Sequence, residues 1–168
     1  EYDNFITRTH LFTPLRGATK QNGVSVSVLR DTTITGTVDV GGQRRPVKID
    51  VLLVNDLWNV RADFDSRYDA LTENADVIMY SGHAGLGKNI AAMARKGKVT
   101  PGKYQFVLLN GCQTFAYIDP TINERRTEAN GPAVDPQGTK FMDIMGNALP
   151  GSSATLASMS VAVIDAVP

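Results

Sequence analysis

The chain has little cysteine or histidine: one cysteine, Cys112, and two histidines, His10 and His83. A single cysteine excludes an internal disulfide. With no C-x-x-C pair, too few soft ligands remain for a zinc site. We therefore expect no metal centre and no cofactor, while the 17 acidic residues leave a regulatory calcium site open.

The chain also lacks an excess of either charge and any long apolar run. Its 17 Lys and Arg residues balance 17 Asp and Glu, so no basic field indicates nucleic acid or an anionic membrane as a partner. No apolar run approaches the roughly 20 residues that span a bilayer. At 168 residues and 42% hydrophobic, the chain fits one globular domain. It starts without methionine, which indicates a trimmed or mature form, and we expect further protein after Pro168.

The first third of the chain predicts an N-terminal arm followed by strands. Residues 1–22 are polar with little periodicity and are typical of an arm or loop. Val24–Val28 alternates strictly between valine and serine and predicts a strand. An alternating run at 32–40, the Gly41-Gly42 turn and the run at 46–54 predict a β-hairpin that leads into a buried strand, Ile49–Val54.

Strands and helices then alternate. A helix over Phe64–Ala75 precedes a short apolar strand, Asp76–Tyr80, and a second helix over 86–97 precedes another apolar strand, Tyr104–Asn110. This alternation predicts an α/β domain over residues 23–168 with a parallel sheet.

Three further segments complete the prediction. Residues 119–138 hold three Pro and several charges and predict a long surface loop. Thr139–Pro150 predicts a helix. The alanine-rich stretch Ser152–Val167, with Ser152 or Ser153 as N-cap, predicts another.

The rare residues follow the two apolar strands directly. His83 comes just after Asp76–Tyr80, and Cys112, 29 positions later, comes just after Tyr104–Asn110. In parallel sheets, functional residues gather at the carboxyl ends of strands. If these strands are neighbours, at a spacing of roughly 5 Å, the two side chains lie at the same edge of the sheet.

The segment Gly82–Lys88 also has the G-x-x-x-x-G-K spacing of a phosphate-binding loop. The residue after the lysine is Asn89, however, and it lacks the hydroxyl that binds magnesium. The next strand ends in Asn110, which supplies no acid to a metal ion. Nucleotide binding therefore remains as the alternative, with the glycines explained more simply by a tight turn.

A thiolate is a strong nucleophile when an imidazole takes its proton, so Cys112 and His83 are candidates for a catalytic dyad. No histidine follows Cys112, which excludes papain-like peptidases, transglutaminases and class I glutaminases, because these place the cysteine first. Chymotrypsin-like cysteine peptidases run from histidine to cysteine but are all-β.

An α/β sheet with histidine after one strand and cysteine after the next resembles the caspase-like clan of cysteine peptidases, which includes caspases, legumain and gingipain. The resemblance covers Asp76–Tyr117 and rests on "DVIMYSGHAG" and "YQFVLLNGC". The clan usually has His-Gly and Ala-Cys, whereas this chain has His83-Ala84 and Gly111-Cys112. The spacing of 29 is shorter than the roughly 50 of caspases and suits a compact bacterial type.

The resemblance implies a three-layer α/β sandwich with a largely parallel central sheet, and a cysteine endopeptidase acting on peptide or protein substrates. Cys112 would be the nucleophile, and His83 the base and later the acid. The N–H groups of Cys112 and of Ala84 or Gly85 would form the oxyanion hole. Asp56 is one acid that could face a basic substrate residue. A catalytically inactive relative is the other alternative.

Overall fold

The structure is a computed structural model that describes residues 16–166 of the chain. It is a mixed α/β protein in which, over those residues, six strands form two three-stranded sheets, one antiparallel and one parallel. The strands are β1 (Arg16–Gly23), β2 (Arg30–Val40), β3 (Gln43–Leu53), β4 (Val77–Ser81), β5 (Gln105–Asn110) and β6 (Met142–Gly146). The helices are α1 (Ala62–Thr72), α2 (Lys88–Arg95), α3 (Thr121–Asn130) and α4 (Ser153–Ala166), with a 3-10 turn over Thr114–Tyr117.

The chain divides into two compact units, of which the first comprises residues up to 55 together with those from 153 onward. In this unit β2 lies between β1 and β3 and pairs antiparallel with both. The predicted hairpin is confirmed, and its Gly41-Gly42 turn has φ of 55° and 77°, which glycine adopts without steric cost. The predicted C-terminal helix is confirmed as α4.

Two expectations for the start of the chain are wrong. The predicted arm over 1–22 lies partly outside the described residues, but from Arg16 onward it is strand β1. Pairing with β2 decides this, and a polar segment's own pattern does not reveal such a long-range partner. The strand predicted over Val24–Val28 is instead a turn, because Ser25 N–H donates to the Val28 carbonyl and Val28 N–H donates to Ser25 Oγ. Where the domain begins stays a prediction.

The second unit, Asp56–Ser152, is built on the parallel sheet, with strand order β4-β5-β6. Helix α2 lies between β4 and β5 in the chain, and helix α3 between β5 and β6, as parallel connections require. The central strand β5 is the most buried, with Val107, Leu108 and Leu109 at most 3% exposed. The predicted parallel strands are therefore neighbours, and the carboxyl ends of three strands meet at one edge.

Strand β6 replaces the helix predicted over Thr139–Pro150. It pairs with β5 from Gln105↔Met142 to Leu109↔Gly146. Met142 is buried while the adjacent Asp143 is exposed, which is the alternation of a strand. Five residues are too few for this alternation to outweigh the helix propensity of the surrounding Met, Ala and Leu, so the prediction was wrong.

Helix α3 replaces the first half of the loop predicted over 119–138. Pro120 precedes its first turn, and Gly131, with φ of 84°, ends it. The charges of this segment indicated a solvated loop, but Arg126 is only 3% exposed and donates to Gln105 Oε1 on β5. Burial lowers the pKa of Arg126, and the neighbouring Arg125 adds to the effect. The sequence of this segment alone does not show that one of its arginines is buried against a strand from another part of the chain.

Candidate functional site

The ends of β4 and β5 bring the predicted dyad to adjacent positions in the fold. The two strands pair from Val77↔Phe106 to Ser81↔Asn110. Gly82 N–H then donates to the Asn110 carbonyl at 3.0 Å, which extends the ladder one residue beyond the strands. His83 follows Gly82 directly, and Cys112 comes two residues after Asn110. They therefore lie at one edge of the sheet, as the sequence predicts.

Gly111, directly before the cysteine, makes the closest backbone approach in this region. A Cβ built on Gly111 would lie 2.4 Å from the Gly82 carbonyl oxygen and 3.1 Å from Thr114 Cγ2. The first distance is far inside van der Waals contact, and its partner is backbone that cannot rotate away. Only glycine therefore fits between the two strand ends.

The turn that carries Cys112 is held by polar side chains. Gly111 N–H donates to Asn147 Oδ1 at 3.0 Å, and Thr114 Oγ1 bridges the Leu109 carbonyl and the Asn147 N–H. Thr114 is fully buried. Asn147 follows β6, so the third strand of the sheet fixes the cysteine turn. Sequence reasoning missed Asn147 because it placed this residue in a helix.

Cys112 itself is half-buried, and its Sγ donates to the Gly151 carbonyl at 3.4 Å. Its backbone N–H would make the next bond of the parallel ladder, to the Gly82 carbonyl, but within the described residues it has no partner. The following residue, Gln113, has φ of 51°, a left-handed conformation that costs free energy in any residue with a Cβ. Backbone strain of this kind is concentrated at functional sites.

The loop after β4 positions His83. The His83 carbonyl accepts hydrogen bonds from the Tyr80 hydroxyl and from Asn89 Nδ2, the latter at 2.7 Å. Asn89 is 4% exposed, and its Oδ1 accepts from the Leu57 N–H at 2.7 Å. One buried amide thus ties the histidine loop to the segment before α1. The sequence singles out Asn89 only as the residue that stands where a phosphate-binding loop has serine or threonine.

The imidazole of His83 is exposed and has no hydrogen-bond partner among residues 16–166. The thiol of Cys112 is directed to Gly151. The two side chains therefore share an edge of the sheet without sharing a hydrogen bond. Catalytic hydrogen bonds are often loose without substrate.

Three backbone N–H groups predicted for an oxyanion hole are available at this edge. Those of Cys112, Ala84 and Gly85 make no hydrogen bond to another described residue. Gly85 has φ of 62°, whereas Ala84 lies outside the left-handed region, so its Cβ is not strained. An alanine at position 84 is therefore compatible with a donor here.

A left-handed turn follows His83. Gly85, Leu86 and Gly87 all have positive φ, of 62°, 51° and 88°. Aromatic rings lie against both glycines: a Cβ on Gly85 would meet Trp58 Cζ3 at 3.0 Å, and one on Gly87 would meet Tyr117 Cδ1 at 2.8 Å. The turn is thus fixed from both sides.

Asp56 comes directly before Leu57, whose N–H donates to the Asn89 side chain. Its carboxylate is half-buried, and Oδ1 is fully buried with no hydrogen-bond partner among the described residues. A buried carboxylate oxygen without a donor is costly. Asp56 therefore lies one residue from a contact with the histidine loop, with unused acceptor capacity.

The phosphate-loop spacing has a structural explanation here. Lys88 is the first residue of α2, and its Nζ lies 5.6 Å from the centroid of the Trp58 ring, a cation–π distance. Asn89, where a magnesium-binding hydroxyl would be needed, uses its side-chain oxygen and nitrogen within the fold.

A cavity of about 30 Å³ lies elsewhere in the second unit, lined by Tyr68, Gln105 and Arg126 among others. Gln105 begins β5, so the cavity is at the amino end of the strand that ends before Cys112. Its volume suffices for a water molecule or two and not for a peptide side chain. Burial raises the pKa of Tyr68 despite the nearby Arg125.

Within residues 16–166 no group of three or more His, Cys, Asp or Glu side chains could hold a metal ion. No helix among them is long and apolar enough to cross a membrane. Comparisons with protein-family models, with curated proteins and with solved structures found no match to this chain.

Proposed function

We propose that the protein is a cysteine endopeptidase that hydrolyses peptide bonds with a dyad of Cys112 and His83. The observation that carries the proposal is the pairing of β4 with β5 up to Ser81↔Asn110, two residues before each member of the dyad. The N–H groups of Cys112 and Ala84, which make no hydrogen bond to another described residue, support it further. A thiol, a base and free donors are the minimum that acyl transfer requires.

In the proposed reaction, His83 takes the proton from Cys112, and Sγ attacks the carbonyl carbon of the scissile bond. The carbonyl oxygen becomes an oxyanion that accepts hydrogen bonds from the N–H of Cys112 and that of Ala84 or Gly85. The intermediate collapses as the C–N bond breaks, and His83 gives its proton to the leaving amine. Water, deprotonated by His83, then hydrolyses the thioester and restores the thiol.

The proposed fold is the three-layer sandwich of the caspase-like clan. The order strand, histidine loop, helix, strand, cysteine turn in the second unit supports it, as does the parallel pairing of β4, β5 and β6. This part of the proposal concerns the fold alone, because one fold can carry many functions.

For the substrate, we propose a polypeptide with a basic residue before the scissile bond, facing Asp56. The support is its place: Asp56 is half-buried and comes directly before Leu57, whose N–H donates to Asn89 beside the histidine loop. A lysine or arginine side chain would pair with the Asp56 carboxylate by charge and hydrogen bonding.

A catalytically inactive domain of the same fold is the second candidate. The hydrogen bond from Cys112 Sγ to the Gly151 carbonyl, in place of one to the imidazole, favours it. Nucleotide binding has less support, because Asn89 is engaged within the fold.

The test compares wild type, Cys112→Ala, His83→Ala and the double variant on internally quenched peptides. Each single variant should lower kcat/KM by about a thousandfold or more, with the double variant no worse, because neither residue does the chemistry alone. Lys88→Ala, an exposed residue close to the histidine loop, is the matched control and should keep activity. Iodoacetamide should alkylate Cys112 in the folded protein.

Activity that survives in Cys112→Ala would refute the assignment. Wild-type protein that cleaves nothing, with or without added calcium or limited proteolysis, and whose thiol does not react, would favour the inactive domain. Micromolar binding of ATP or GTP, lost in Lys88→Ala, would support the nucleotide alternative.

A further inference from the structure

Leu86 occupies a position that two properties disfavour. It has φ of 51°, one of two non-glycine residues with positive φ among those described, and its side chain is 89% exposed. A leucine gains nothing from burial there and costs free energy that glycine or asparagine would avoid. Its flanking residues, Gly85 and Gly87, show the composition that such a turn normally has. An apolar side chain held in this way needs a role outside the folding of the unit.

The turn that presents Leu86 is not a loose loop tip. Gly87 N–H and Asn89 N–H both donate to the Ala84 carbonyl, at 3.1 Å and 3.2 Å. Trp58 lies against Gly85 and Tyr117 against Gly87. The backbone at Leu86 is therefore fixed. Only the rotamers of the Leu86 side chain would lose freedom on binding.

Because Leu86 is on the same loop as His83, the mechanism indicates which part of the substrate would lie near it. In acyl transfer the imidazole must reach the nitrogen of the leaving amine to protonate it. The residue that carries this amine therefore lies on the histidine side of the site, over the loop that holds His83. Leu86 is three residues further along the same loop, beyond a tight turn.

We propose that Leu86 determines specificity by contacting the side chain of the substrate residue immediately after the scissile bond, and that this residue is apolar. The inference rests on the proposed peptidase function and extends it to the leaving side of the substrate. Two further exposed apolar residues on segments beside this loop, Trp58 (51%) and Phe115 (64%), are consistent with an apolar surface around it.

The experiment uses pairs of internally quenched peptides that are identical except for leucine or glycine after the scissile bond. The measured quantity is the ratio of kcat/KM for the two peptides, in wild type, Leu86→Asn and Leu86→Gly. Wild type should prefer the leucine peptide, and the preference should fall about tenfold in both variants, as expected when one apolar contact is lost. Asparagine and glycine both tolerate positive φ, so the turn itself should be kept.

Val134→Asn is the matched control, an exposed apolar residue in the segment that enters β6 at the opposite edge of the sheet. Its ratio should equal that of wild type. Thermal unfolding should show Leu86→Gly to be no less stable than wild type. Cleavage of both peptides with an unchanged ratio in the Leu86 variants would overturn this inference and leave the peptidase proposal standing. Wild-type protein that cleaves neither peptide nor any member of a wider panel would overturn both.

Discussion

Residue 111 is a glycine. Because it has no side chain, the ends of β4 and β5 can lie close together. The Gly82 carbonyl occupies the space that a Cβ would need, at 2.4 Å. The residues on either side of this contact lead to His83 and Cys112. A change of a few tenths of an ångström at Gly111 is thus passed directly to the distance between the proposed base and nucleophile, to which reaction rates are highly sensitive.

Gly111→Ala should destabilise the protein by about 2 kcal/mol, because the new methyl group forces the two strand ends apart. The same change should lower peptidase activity by about tenfold or more. Urea unfolding and kcat/KM measure the two effects. The outcome is informative because alanine is the residue that the caspase-like clan usually has before its cysteine.

Gly23→Ala is the control for this prediction. A Cβ on Gly23 would meet Asp31 Cβ at 3.8 Å, an ordinary contact, and Gly23 is not among the glycines with positive φ. Its unfolding free energy should stay close to that of wild type. An alanine at 111 that is equally well tolerated would show that the strand ends adapt, and the close approach would then not explain the glycine.

The segment from the end of α3 to β6 is held by one buried carboxylate. Asp135 is 1% exposed and accepts hydrogen bonds from Asn130 Nδ2 and from the N–H groups of Thr139 and Lys140. Burial on its own would raise the pKa of Asp135, but these hydrogen bonds outweigh it and lower the pKa. Asp135 is thus an internal support of the segment that leads into β6.

This support should be lost in acid. A carboxyl group whose pKa is lower in the folded than in the unfolded chain, where it is about 3.9, stabilises the fold above about pH 4. That stability disappears as the pH falls through the folded pKa. Asp135→Asn should therefore be less stable than wild type at pH 7, and the difference should shrink between about pH 4 and pH 2. Urea unfolding over this pH range is the measurement.

Asp69→Asn, which changes an exposed carboxylate in α1, is the control and should be about as stable as wild type at pH 7. If Asp135→Asn instead remained less stable than wild type by a constant amount down to pH 2, the effect would come from shape and not from titration.

Elements were predictable from sequence where their own pattern was complete. The hairpin turn, α2, β4 and β5 each carry their signal within the segment, as do the rare residues His83 and Cys112. Strand β1 becomes a strand by pairing with β2, and strand β6 by pairing with β5 more than 30 residues earlier, whereas their own patterns indicated an arm and a helix. The supporting residues Asn89 and Asn147 were missed for the same reason, because each acts through contacts with distant parts of the chain.

At the scale of the whole molecule, the chain carries no net charge at pH 7, with 17 basic and 17 acidic residues. Charge repulsion between molecules is then weakest near neutral pH. Solubility, measured as the midpoint of polyethylene glycol precipitation, should be lowest near pH 7 and higher at pH 5 and pH 9. A midpoint that changes in one direction only across this range would show that patches, and not net charge, control association.

The number of residues between two paired strands affects the order in which the sheets form during folding. β2 and β3 are joined by a two-residue turn, whereas Val77 must find Phe106 and Gln105 must find Met142 across whole crossovers. Closing long loops is entropically costly and slow, so we expect the hairpin to form early and the parallel sheet to form late during folding. The turn that presents Cys112 needs Asn147 from beyond the last strand. If Cys112 is the nucleophile of a peptidase, as we propose, a newly made chain would complete the site only at the end of folding, and its own unfolded segments would not meet an active site.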